Sequence, residues 1–200
     1  MSHQETMTMW CRVLTRSGVD VCFSQGYNPH PKISLPLPRT VGVRSDDECL
    51  CAQVCAEEAF EADALAPCIQ ASLPEGCIVT DVGLYEGKVG FCPVAAVYEF
   101  PLESPVQQEV HSRVSALNAS ATQAQPIMVE RRGKEGARPS TIDVRPYIAS
   151  AIVAGDRVAV DCRISPAGTV RVDEIMQLLG LRTQDLKEGV LRRAVQWERN

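Results

Sequence analysis

Aromatic residues supply only 5% of this 200-residue chain, so a core must rest on Val, Leu, Ile and Ala. No apolar run approaches the roughly 18–20 residues that span a bilayer. The start, Met1-Ser-His-Gln-Glu5, lacks the basic flank and apolar stretch of a secretory signal. Positive charge is not in excess: 20 Lys and Arg stand against 25 Asp and Glu, a formal net charge of -5. That balance excludes binding nucleic acid mainly by global electrostatics and leaves only a local basic groove open. Glycines 133 and 136 do not form the strand-to-helix turn that cradles a nucleotide phosphate. The expected setting is cytoplasmic and soluble, with neither membrane nor DNA as partner.

Cysteine is present in quantity: nine residues, an odd number at irregular spacing. In a reducing compartment they are expected to be mostly thiols. Cys49, Cys51 and Cys55 fall on one face of a strand predicted over residues 48–56. Their spacing matches neither the Cys-x3-Cys-x2-Cys of a radical SAM cluster nor paired Cys-x-x-Cys zinc knuckles. Core packing is therefore the favoured reading for these cysteines.

The 45% hydrophobic share suits a chain that buries a core. Residues 4–17 read as a helix, with Ser2 and Glu5 as a capping box and Gly18 as the stop. Met7, Trp10, Cys11 and Leu14 make its apolar stripe. A short β-prone run at 19–24 follows, then a proline-rich stretch from 25 to 38 with a brief strand at 33–35. Strand 48–56, helix 62–73 and strand 77–85 complete the first half. The second half reads as strand 95–102, helix 105–118, strands 126–130, 141–144 and 157–164, helix 173–179 and strand 190–197.

Strand–helix–strand order occurring twice predicts an α+β protein of two ferredoxin-like α/β-sandwich units. Residues 1–88 would form the first and residues 94–200 the second, with the boundary near 87–93. A helix at the very first residues implies that the first unit lacks its N-terminal strand.

The segment Phe23-Ser-Gln-Gly-Tyr-Asn-Pro-His-Pro-Lys32 is the most informative. With Ser2-His3, Arg16-Ser-Gly18, Val41-Gly-Val43, Ser45 and Glu48, it resembles the radical-SAM-linked protein family. Thr141-Ile-Asp-Val-Arg-Pro146 and Gly168-Thr-Val-Arg-Val-Asp-Glu-Ile175 resemble its downstream blocks. The departures are the absent strand before Ser2-His3, Glu5 in place of Asp, Tyr27 in place of Phe, and Leu35-Pro36. The family is a domain of unknown function, encoded beside or fused to radical SAM enzymes of the cobalamin-binding type. The resemblance implies an accessory or substrate-presenting role beside a separate radical SAM enzyme. S-adenosylmethionine and the iron–sulfur cluster would belong to that partner, and this chain would carry no cofactor of its own.

The residues themselves suggest binding. Gly26 admits backbone geometry closed to other residues, and Asn28 can start a turn. His30 sits between two prolines on a stiff backbone, suited to proton exchange or to contacting an anion or metal. Ser24, Gln25 and Lys32 add donors. The structural alternative is a rigid turn with a solvated His30. His3, with Glu5 to orient it, is the second acid–base candidate and with His30 a weak metal pair; its alternative is a frayed terminus. Asp143 and Arg145 would share a strand face and bind a ligand or each other. Arg131, Arg132, Lys134 and Arg138 form a basic loop, either solvated or on phosphates. Two other functions remain open at this point: an RNA-binding or RNA-processing module, and a small-molecule enzyme using His30.

Overall fold

The computed structural model describes residues 1–55, 61–103, 108–123, 125–131, 133 and 138–200. Among these it is an α+β chain that divides into two compact units. The first comprises Met1–Pro38, Cys49–Cys92 and Arg199–Asn200; the second comprises Arg39–Glu48 and Pro93–Glu198. The division thus differs from a single cut near residue 90. Residues 39–48 belong to the second unit because their hydrogen bonds and ion pairs go to a strand near the C-terminus.

In the first unit, α1 (His3–Arg16) begins at the capping box. Ser2 N–H donates to Glu5 Oε2 at 2.6 Å, and Glu5 N–H donates to Ser2 Oγ at 3.3 Å. These bonds satisfy two of the donors that a helix start leaves unpaired. Gly18, at φ 74°, ends the helix in the left-handed region. The apolar face of α1 packs with α2 (Ala62–Ser72), burying Val13, Leu14, Val19, Leu65 and Ile69. Half-buried Trp10, Val21, Leu50 and Val54 extend that cluster.

Regular β-structure is scarce here. β1 (Ile33–Ser34) pairs antiparallel with β3 (Cys51–Ala52), and single bridges join Val21 to Val54 and Phe23 to Pro31. The strand expected over residues 77–85 is not formed: that run has no β-pairing. Two of its backbone groups go to a helix side chain instead, Val79 N–H to Gln70 Oε1 and Cys77 C=O to Gln70 Nε2. The strand predicted at 19–24 is likewise reduced to bridges.

The second unit is built on a five-stranded sheet. Its members are β2 (Val43–Ser45), β4 (Phe91–Pro101), β7 (Ile148–Ala154), β8 (Arg157–Arg163) and β9 (Val190–Arg199). The spatial order is β2-β9-β4-β8-β7. β2 runs parallel to β9, while β8 runs antiparallel to both β4 and β7. Between β4 and β7 come α3 (Gln108–Thr122) and a hairpin of β5 (Met128–Arg131) and β6 (Ser140–Asp143); α4 (Val172–Leu179) precedes β9.

The helices cover an apolar core in which Phe100, Val144, Val158, Val160, Ile175 and Leu179 are fully buried. The expectation of small aliphatic packing with little aromatic content holds there. Among the described residues no helix is long and apolar enough to cross a membrane.

Candidate functional site

The Ser24–Lys32 motif forms a projecting lip whose base is firmly bonded. Cys22 N–H donates to Gln53 C=O at 2.7 Å, and Cys55 N–H to Asp20 C=O at 2.9 Å. Lys32 N–H donates to Cys22 C=O at 2.7 Å, and Gln53 N–H to Lys32 C=O at 2.9 Å. The chain therefore leaves and re-enters one small β-structure, with both ends of the lip held.

A disulfide joins Cys22 to Cys55 across this base, with Cα atoms 5.2 Å apart. That corrects the picture of Cys49, Cys51 and Cys55 as three thiols on one face. Cys55 is bridged to Cys22, while Cys49 and Cys51 remain side by side with sulfurs 4.0 Å apart. Seven cysteines stay unbridged. Of these, burial pushes the Cys162 thiol up to about 12, which makes it a poor nucleophile.

Ser24 closes the tip. Its N–H donates to His30 C=O at 2.8 Å, and His30 N–H donates back to Ser24 Oγ at 2.9 Å. Ser24 is thus partly spent on shape. Gly26, at φ 132°, takes the turn conformation that a side chain would resist. Gln25, Asn28, His30 and Lys32 are all exposed. None of their side chains has a hydrogen-bond or ion-pair partner among the described residues. Phe23 is 53% exposed and Tyr27 fully exposed beside them. Two aromatics, an imidazole, two amides and an ammonium are therefore presented to solvent on a fixed backbone.

The other candidates do not join this group. His3 is exposed in the first turn of α1, and no contact links it to His30. Among the described residues no cluster of three or more His, Cys, Asp or Glu side chains is placed to hold a metal. Glu5 serves the helix cap, and its bonds to the Ser2 backbone and hydroxyl hold its carboxyl below the usual range.

Asp143 and Arg145 lie in the second unit and are not on one strand. Asp143 ends β6, and Arg145 opens a 3-10 turn, Arg145–Tyr147. Asp143 Oδ1 accepts from Ile127 N–H and Arg145 N–H, each at 2.9 Å, and Oδ2 stands 3.7 Å from Arg145 Nε. Burial works to raise the Asp143 carboxyl, but the two amides and the guanidinium outweigh it and leave it lowered. Its principal contacts therefore shape the chain turn.

Arg131 also departs from the expected flexible basic loop. It ends β5 and forks onto Glu174, which is 1% exposed. Nη2 bonds Glu174 Oε2 and Thr169 C=O, each at 2.9 Å, while Arg171 N–H donates to the same carboxylate at 2.8 Å. Arg132 and Lys134 of that loop lie outside the described residues.

A fully buried cation, Arg192, was not singled out in the sequence. Arg192 on β9, 1% exposed, pairs with Glu48 at 2.7 Å and donates to Ser45 Oγ at 3.1 Å. Asp47 accepts from Val195 N–H and Trp197 Nε1, at 2.8 and 2.9 Å, and Asp46 pairs with Arg193. The acidic run at 46–48 is thus a clasp on β9. The consecutive Arg192 and Arg193 inside a predicted strand were the available signal, since one of two adjacent strand side chains must face inward.

Against this geometry, a family model described as "Uncharacterized protein conserved in bacteria (DUF2344)" matches residues 1–174. The chain belongs to the DUF2344 family. No curated protein matches it. The matched span includes the lip and its disulfide, and it ends on Glu174, the buried acid that Arg131 holds.

Proposed function

We propose that this chain is an accessory domain acting with a separate radical SAM enzyme, with the lip as the face that meets the partner or presents its substrate. One observation carries this reading. Gln25, Asn28, His30 and Lys32 stand exposed, with no side-chain partner among the described residues, on a tip whose backbone is fixed at both ends. Polar side chains that contribute nothing to the fold, held on a rigid loop, are what a recognition surface requires. Tyr27 and Phe23 add exposed aromatic area of the kind that anchors interfaces. Resemblance of the lip sequence to the radical-SAM-linked family names the partner class. On this reading S-adenosylmethionine and the iron–sulfur cluster sit in the partner.

With β2 and the β5-β6 hairpin set aside as additions, the element order β4-α3-β7-β8-α4-β9 and sheet order β9-β4-β8-β7 support reading the second unit as ferredoxin-like. The first unit would be a reduced relative of it. An RNA-binding role now leans on His30, Lys32 and Arg138, because Arg131 is committed to Glu174. A His30-centred enzyme has no base or nucleophile partnered to that imidazole among the described residues.

The test is co-purification of the tagged chain with a radical SAM enzyme encoded beside it, together with RNA binding at low salt. Retention of the enzyme supports the proposal. Failure to associate, with salt-sensitive capture of structured RNA instead, replaces it with the RNA reading.

A further inference from the structure

The first unit contains a second, separate surface. A groove of about 840 Å³ runs along one side of α1 and is closed opposite by residues 71–74, the end of α2 and the two residues that follow it. Its floor is apolar: Val13 is 2% exposed, and Met9 and Leu73 pack on the same core. Its rim carries two cations, Arg12 and Arg16. Both are exposed, and neither has an ion-pair partner among the described residues. The lone acid of the lining, Glu5, already receives Ser2 N–H at 2.6 Å. A protein of net charge -5 therefore holds a locally basic, apolar-floored groove.

We propose that this groove docks an extended, acidic segment of a partner protein whose residues alternate between carboxylate and apolar side chains. Arg12 and Arg16 are four residues apart on one helix face, about 6 Å along the axis. In an extended chain, alternate side chains recur every ~6.6 Å on one side. Two carboxylates at such positions meet the two guanidinium groups, while the residues between them face Leu73 and Pro74. Arg forms paired hydrogen bonds to carboxylates, which rewards this spacing further. Single-stranded nucleic acid fits less well, because no aromatic side chain lines the groove for bases to stack on. The inference is independent of the lip.

The probe is a fluorescently labelled peptide of alternating glutamate and leucine, titrated with the full chain and followed by anisotropy. Its glutamine–leucine counterpart and an oligouridine serve as competitors. Saturable binding is expected, weakened at least about tenfold by Arg12→Glu with Arg16→Glu and by added salt. Arg12→Gln with Arg16→Gln should give a smaller loss, and it keeps the test open if the charge reversal harms folding. Lys32→Ala on the lip should leave the titration unchanged. No binding by the wild-type chain, equal binding of the glutamine peptide, or insensitivity to both double variants overturns the proposal. Displacement by oligouridine at the peptide's own concentration would assign the groove to nucleic acid instead.

Discussion

The two units use polar residues in opposite ways. In the second, charge is drawn inward: Arg131 holds Glu174, Arg192 holds Glu48 and Ser45, and Asp47 clasps β9 through Val195 and Trp197. In the first, the side chains of Gln25, Asn28, His30 and Lys32 and the groove arginines are exposed, with no hydrogen-bond or ion-pair partner among the described residues. Polar groups consumed by the fold report on stability, and polar groups the fold leaves unused are the candidates for recognition.

The contrast breaks most visibly at the inward charges. Removing one partner of a buried pair leaves the other desolvated and unmatched, at a cost of about 3–5 kcal/mol. Arg131→Ala should therefore lower the unfolding free energy of the second unit by that amount, read as a lower urea midpoint. Arg131→Met with Glu174→Leu should recover most of the loss, since both charges then leave the interior.

The disulfide comes next. Cys22 and Cys55 are 33 residues apart, and closing a loop of that length stabilises by about 3–4 kcal/mol in the chain-entropy account. Cys22→Ser with Cys55→Ser should weaken the first unit selectively, seen as faster proteolysis within residues 20–55. Equal weakening of both units would blur the contrast.

Acid titration sharpens it. Burial tends to raise the Glu174 carboxyl, but the Arg131 hydrogen bonds and the Arg171 amide outweigh that and lower it. A carboxyl lowered in the folded state adds stability that is full above its unfolded value and lost as pH falls through the folded one. Stability of the second unit should fall as pH drops below about 4.5, and the Met–Leu double variant should show a shallower fall. The smallest stability effect is at the lip, where Gln25→Ala, Asn28→Ala and Lys32→Ala should each shift stability by no more than about 0.5 kcal/mol.

Parts of this were legible in the sequence for physical reasons. Ser2, Glu5 and Gly18 announce α1 because a helix end must satisfy its own backbone, and local residues suffice to do it. Gly180 likewise marks the end of α4 at φ 69°. Long-range matters were not legible. β2 is only three residues long and exists because β9 pairs with it. β7 reads as Ala-rich, with its alternation broken by a register shift between Ile148 and Ser150. The run 77–85 has strand-like composition, yet no partner row is present among the described residues. Arg131 looked like loop charge because Glu174, 43 residues on, cannot be matched to it by local reasoning. Cys22 and Cys55 posed the same difficulty.

The candidate site was legible as a string and not as a constellation. The lip residues lie together because they are consecutive, and Ser24 proved to be partly a closing bond. Asp143 proved to be mainly a turn former.

The central claim is that the lip serves recognition and not folding. Its most direct test is titration calorimetry of the proposed radical SAM partner with the wild-type chain and with Gln25→Ala/His30→Ala/Lys32→Ala. The account predicts measurable heat for the wild type and its loss for the triple variant, whose unfolding midpoint stays unchanged. Undiminished binding by the triple variant would contradict it.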